Sequence, residues 1–169
     1  MNKAVFAGAL FAAVAGVSTV AYCGTSDTGI SPRSVAFVGQ GDDLLSAERP
    51  EAAILQYETA LAIDPRNVTA YIGLARAHED LGLPGRAVKF YREGLTIDPN
   101  NLTALEEQGE ALVARGATAR AEKNLDRIRK LCASECAYAA RLKDVIDAGP
   151  PPVESAKSVA ASETMPDIN

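Results

Sequence analysis

The sequence predicts an all-α fold: three helical hairpins stacked in a row and closed by one further helix. Three observations carry this expectation. The 169-residue chain repeats itself with a period of 34, so that Ala53, Tyr57, Ala60, Asp64 and Pro65 are followed by Ala87, Tyr91, Gly94, Asp98 and Pro99. Apolar residues within each repeat fall at three- and four-residue steps (Ile54, Tyr57 and Leu61, then Val88, Tyr91 and Leu95), giving each segment one apolar stripe. Small residues recur at the same period, Gly41, Ala75 and Gly109, then Ala53, Ala87 and Ala121, where two helices can approach with no large side chain between them.

The elements follow in order. Residues 1–21, MNKAVFAGALFAAVAGVSTVA, begin with Lys3 and continue as an uncharged run from Ala4 to Ala21, the layout of an export signal. Thr19 and Ala21 are small residues two apart, which suits cleavage after Ala21. Cys23 offers a second reading, as the lipid-bearing first residue of a bacterial lipoprotein, although Tyr22 is bulkier than the residue that usually precedes such a cysteine. An uncleaved anchor is the third reading, since 18 uncharged residues lie at the lower limit for crossing a bilayer. All three place the remainder outside the cytoplasm, in the periplasm or cell envelope. Residues 22–33 are rich in Gly, Ser and Thr and read as a flexible lead-in.

The folded part is expected at 34–148, as repeats 34–67, 68–101 and 102–135 and a cap at 136–148. Within it, helices are predicted at about 34–46, 50–63, 68–81, 84–97, 102–115, 118–131 and 136–148. Asp64-Pro65 and Asp98-Pro99 end the second helix of a unit, because the residue before proline is pushed out of the helical region. Gly82 and Gly116 supply the backbone freedom of helix–helix turns. The last helix, AYAARLKDVIDA, puts Ala139, Leu142, Val145 and Ile146 on one face and charges elsewhere, as suits the exposed end of a stack. Gly149 and Pro150 to Pro152 stop it, and the tail at 149–169 lacks apolar periodicity and is expected to be disordered.

This pattern resembles the tetratricopeptide repeat, whose signature is W-x2-L-G-x2-Y, then A-x3-F, then P. The second unit matches best, with Tyr71, Leu74, Ala75, His78, Ala87, Tyr91 and Pro99; the first matches through Phe37, Gly41, Leu44, Ala53, Tyr57 and Pro65. The third is more divergent, with Leu105, Gln108, Gly109, Leu112, Ala121 and Leu125 and no closing proline. The resemblance implies a right-handed α-solenoid that binds a peptide or partner protein in a concave groove lined by the first helix of each unit. Carried over position by position, the groove is Val38, Asp42 and Leu45, then Ile72, Arg76 and Glu79, then Glu106, Glu110 and Val113. That set is acidic with apolar patches, relieved by Arg76, and favours a basic or mixed partner. Chaperone-binding members clamp an acidic carboxylate with basic residues, but the corresponding places here are Val38, Asp42, Gly73, Thr103 and Glu107, and none is cationic.

Cys132 and Cys136 stand at the junction of the last repeat and the cap, as in small exported bacterial tetratricopeptide proteins that carry a similar Cys-x3-Cys before their last helix. In an oxidising compartment a disulfide is the simplest reading, contributing about 2 kcal/mol by loop entropy. A redox-active pair using Cys132 and Cys136 for thiol–disulfide exchange, a metal site and free thiols are the alternatives; two cysteines alone are too few ligands for a metal, and the usual redox spacing is absent.

Composition narrows the function further. Seventeen Lys and Arg against 22 Asp and Glu leave a net charge of −5, which argues against nucleic acid. No phosphate-cradling glycine loop or serine-nucleophile motif occurs, and the one histidine, His78, is expected to pack between helices. Glu79-Asp80 and Glu106-Glu107 read as solvated helix-surface acids. Arg115, Arg120, Lys123, Arg127, Arg129 and Lys130 form a positive cluster on the last pair. The chain is thus expected to be a non-enzymatic scaffold without a cofactor, touching membrane only through its N-terminal segment or a lipid on Cys23. An outer-membrane lipoprotein serving secretion or pilus assembly is the alternative.

Overall fold

The computed structural model describes residues 29–132 and 136–151. The export-signal segment, Cys23, most of the lead-in and most of the tail lie outside the described residues. Seven helices follow one another: α1 (Pro32–Ser46), α2 (Pro50–Ile63), α3 (Val68–Asp80), α4 (Pro84–Ile97), α5 (Leu102–Ala114), α6 (Thr118–Leu131) and α7 (Ala137–Ala148). Each pairs with its chain neighbour, α1 with α2, α3 with α4 and α5 with α6; α2 packs on α3 and α4 on α5, so the hairpins stack in chain order. α7 lies across both α5 and α6. Among the described residues there is no strand, and no helix is long and apolar enough to cross a membrane.

Proline sets several helix starts. Pro32, Pro50 and Pro84 occupy the first turns of α1, α2 and α4, where a missing N–H costs nothing and the fixed φ already suits a helix. α3 and α5 begin instead with Asn67 and Asn101, whose side chains accept from the N–H groups of Ala70 and Ala104. α1 starts two residues earlier than the 34 expected, inside the segment read as a lead-in. The cause is an anchor: the Ser31 N–H donates to Asp64 Oδ2 at 2.9 Å, and Arg66 donates to the Gly29 carbonyl. The Ser31 and Arg66 backbone N–H groups hold the Asp64 carboxyl below the usual carboxylate range. Just inside, the buried Ser34 hydroxyl donates to the Ala60 carbonyl and accepts from Asn67 Nδ2, both at 2.8 Å, which ties α1 to the end of α2 and the start of α3.

The three hairpin turns share one geometry. Glu48, Gly82 and Gly116, each 34 residues apart, have φ of 55°, 69° and 72°. In every case the next residue donates back across the turn, Arg49 to Leu44, Leu83 to His78 and Ala117 to Leu112, which is the Schellman closure of a helix. Glu48 is the one of the three with a side chain in this left-handed region. The period therefore reaches the backbone of the turns even where the residue type has changed.

The core runs continuously through the stack. Ala53, Ala87 and Ala121 are fully buried, as is Ala75, so the small-residue positions lie where helices meet. Tyr57 fills the space above two glycines: a Cβ on Gly41 would lie 2.5 Å, and one on Gly73 2.3 Å, from Tyr57 Cε1. At the far end Leu142 of α7 is completely buried in a cluster with Leu105, Leu125 and Ile128. Gly109 makes room for it, since a Cβ there would stand 2.6 Å from Leu142 Cδ1.

Candidate groove and its charges

α1 touches α3 directly, and the side chains of α3 and α5 meet across the next gap, so one face of the stack is built from first helices. The sequence-derived groove residues divide on this face. Val38, Ile72 and Val113 are 5%, 6% and 1% exposed and belong to the core clusters, so these three do not present side chains to a partner. The reason is geometric: on a stacked helix the same stripe that faces the groove at one turn faces the neighbouring helices at the next. Glu106 is only 4% exposed, because Arg141 of the cap folds over it, with Nη2 donating to Oε2 at 2.7 Å and Nε to Oε1. Asp42, Leu45, Arg76, Glu79 and Glu110 remain accessible in part or in full.

Of the acids read as solvated, Asp80 is exposed, but Glu79, Glu106 and Glu107 are engaged by neighbouring side chains. Arg76 on α3 donates from Nε to Glu107 Oε2 at 2.9 Å and from Nη2 to Oε1, a two-point grip across to α5. This carboxylate holds the Arg76 guanidinium firmly protonated. Tyr91, rising from α4 between these helices, places its hydroxyl 2.7 Å from Glu79 Oε2 and 3.0 Å from Glu107 Oε2. Burial and the two acids together push the Tyr91 phenol far above its ordinary range. One repeat earlier, Tyr57 donates to Asp42 Oδ1 at 2.7 Å, and burial with that carboxylate raises its phenol too.

Glu79 is the least comfortable acid of the set. Burial pushes its carboxyl up to about 7; the Tyr91 bond opposes this, and Glu107, Glu110 and Asp80 add to it. Glu110 is raised by burial and by Glu106 and Glu107, with Arg141 acting the other way. Among the described residues the groove therefore carries more negative than positive charge, and Arg76 and Arg141 are each already committed to a carboxylate.

Sequence reasoning did not find Tyr57, Tyr91 or Arg141 as groove residues, and it met Glu107 only as a solvated acid and a clamp position lacking positive charge. The tyrosines were visible as repeat positions, but only the fold shows that hydroxyls from second helices reach the acids of first helices. His78 packs as expected: it is 6% exposed, stacks on Phe90 at 5.1 Å, and burial lowers its pKa. Among the described residues no group of three His, Cys, Asp or Glu could hold a metal ion. Cys132 closes α6 and Cys136 precedes α7, with Sγ atoms 2.13 Å apart. Both cysteines line a cleft of about 620 Å³ together with Arg129, Ala137, Ala139, Ala140 and Lys143. On the outer face of α6, Arg120, Lys123, Arg127 and Lys130 are exposed at helical spacing.

A family profile described as tetratricopeptide repeat matches residues 38–102. This is a tetratricopeptide-repeat fold. The first tetratricopeptide domain of Spaghetti (RPAP3), bound to the HSP90 peptide SRMEEVD, superposes with a TM-score of 0.64 at 18% identity, covering 71% of this chain and 98% of that one. The Yersinia enterocolitica type III secretion chaperone SycD, in complex with a peptide of the translocator YopD, gives 0.63 at 18% identity, covering 70% and 92%. PcrH, in complex with the chaperone-binding region of PopD, gives 0.61 at 22% identity, covering 71% and 93%. At these identities the likeness is one of fold. No curated protein matches the chain.

Proposed function

We propose that this tetratricopeptide-repeat chain is an exported, non-enzymatic scaffold whose groove holds a basic or mixed-charge segment of another protein. The single observation that carries the reading is the charge of the groove: Glu79, Glu107 and Glu110 converge from α3 and α5, and the cation among them, Arg76, is already engaged by Glu107. An acidic segment of the kind bound by RPAP3 would meet these carboxylates while Arg76 and Arg141 are already engaged, and like charges brought together cost affinity. The fold's solved neighbours hold peptides, which supports a polypeptide as the occupant. Export rests on the composition of residues 1–21. Cys132 and Cys136 are read as a disulfide fixing the cap to the last hairpin, supported by a Cα–Cα separation of 5.9 Å.

The binding test is direct. A Lys/Arg-rich decapeptide should bind the folded protein, an Asp/Glu-rich one should not, and Glu110→Lys should weaken the former by about tenfold or more, a loss of roughly 1.4 kcal/mol. Equal binding of both peptides, or indifference to Glu110→Lys, would refute the reading.

Location is tested by intact mass of the chain recovered from a bacterial envelope fraction. Cleavage after Ala21 and a two-hydrogen loss that reduction restores are the expected result; an intact N-terminus in a cytosolic fraction would overturn it. A lipid mass on Cys23 would instead favour the lipoprotein reading, in which the chain assists secretion or pilus assembly. That second reading draws its support from Cys23 and from the type III secretion chaperone SycD among the fold's neighbours.

A further inference from the structure

The Tyr91 hydroxyl carries one hydrogen, yet its oxygen lies within hydrogen-bond distance of two carboxylates, Glu79 at 2.7 Å and Glu107 at 3.0 Å. An ionised carboxylate only accepts. With both acids ionised, one of the two contacts would press oxygen against oxygen with no proton between them. Both contacts are satisfied together only when one carboxyl is protonated: that acid donates to the tyrosine oxygen, and the tyrosine donates to the other. Which acid holds the proton is fixed by the surroundings. Both oxygens of Glu107 already accept from the Arg76 guanidinium, so Glu107 stands as the acceptor of the pair. Among the described residues no cation pairs with Glu79.

We propose that Glu79, Tyr91 and Glu107 share one proton, and that this proton competes with a cationic segment for the groove. The competition rests on the reading of the groove given above; the shared proton itself does not. The groups around Glu79 agree with the assignment. On its own helix stand Asp80 and Arg76, the latter turned to Glu107; from α4 comes Tyr91; from α5 come Glu107 and Glu110. From α1, Asp42 is occupied by Tyr57, and Glu48 of the α1–α2 turn adds a further negative charge on the Asp80 side. Burial first, then Glu107, Glu110 and Asp80, raise the Glu79 carboxyl to about 7 against the Tyr91 bond.

The sign follows by linkage. A lysine or arginine brought into the groove supplies the cation that Glu79 lacks, favours its ionised form and so expels the proton. Affinity for a cationic segment therefore rises as pH is raised through neutrality and falls on acidification. Each unit by which binding lowers the Glu79 pKa corresponds to up to about tenfold in affinity between the protonated and ionised limits.

Two measurements on the full folded chain test this. In protein labelled with ¹³C at glutamate side-chain carboxyls, one resonance should titrate near neutral pH, disappear in Glu79→Gln and shift in Tyr91→Phe, which keeps the ring. If every glutamate carboxyl titrates below about pH 5.5, the shared proton is overturned. Calorimetric titration with a Lys/Arg-rich decapeptide, in two buffers of different ionisation heat, should show proton release in wild type and tighter binding at pH 8 than at pH 6. Glu79→Gln should abolish both effects. Binding of equal strength at the two pH values with no proton release overturns the competition. Absence of peptide binding at either pH refutes the competition together with the occupant proposed for the groove, and leaves the shared proton to stand or fall on the carboxyl titration.

Discussion

Truncation of Tyr57 to alanine is expected to lower the unfolding free energy by about 3–5 kcal/mol, read as a shift in urea midpoint at unchanged slope. Tyr57 is fully buried and is held by three helices at once: it grows from α2, lies over Gly41 of α1 and Gly73 of α3, and ends on Asp42. Removing the ring leaves a cavity at the junction of two repeats, where the surrounding helices have no slack to collapse. Tyr57→Phe keeps the ring and should cost only about 1 kcal/mol for the lost hydrogen bond. The opposite change tests the same contact. Gly73→Ala sets a methyl 2.3 Å from Tyr57 Cε1, and overpacking of that kind costs about 1–3 kcal/mol. Alanine is the better helix former by about 1 kcal/mol, so a Gly73→Ala variant more stable than wild type would show that the ring moves aside freely.

That contact also shows how far the sequence could be read. The helices were legible because apolar residues recur at three- and four-residue steps and because Asp-Pro pairs and glycines punctuate them at fixed repeat positions. Small residues at the repeat period likewise announced close helix approach. What fills each space was not legible. Gly73 and Glu107 occupy the same repeat position, yet the first makes room for Tyr57 and the second reaches Tyr91. A period identifies equivalent backbone sites, and only the packed structure says which side chains cross between units.

The groove shows the same limit. Its acids were visible in the sequence, but their partners come from elements that a position-by-position transfer ignores. Arg141, which holds Glu106, lies 35 residues away on the cap, and Tyr91 comes from a second helix. Val38, Ile72 and Val113 were assigned to the groove by position and are withdrawn into the core by the contacts of neighbouring helices. The resulting surface is smaller than the sequence suggested and has lost mostly apolar positions, which is why the proposed occupant is argued from the acids that remain.

Leu142→Ala is expected to cost about 2–5 kcal/mol, a large share of the 5–15 kcal/mol that holds a typical domain. The stack ends on this side chain. α5 and α6 bury Leu105, Leu125 and Ile128 against it, and Gly109 has given up its own Cβ to admit it. In a row of hairpins each unit is stabilised by its neighbours, so loss of the cap acts first on the hairpin beside it. Amide exchange should consequently accelerate in α5 and α6 while α1 and α2 stay close to wild type. Uniform acceleration from α1 to α7 would mean instead that the seven helices unfold as one unit. Combining Leu142→Ala with Gly109→Ala discriminates further: the added methyl enters the space that the leucine leaves, and the double variant should be more stable than the sum of the single losses. Strict additivity would show that α7 does not rest on Gly109, and the capping role would then pass to the Arg141–Glu106 pair.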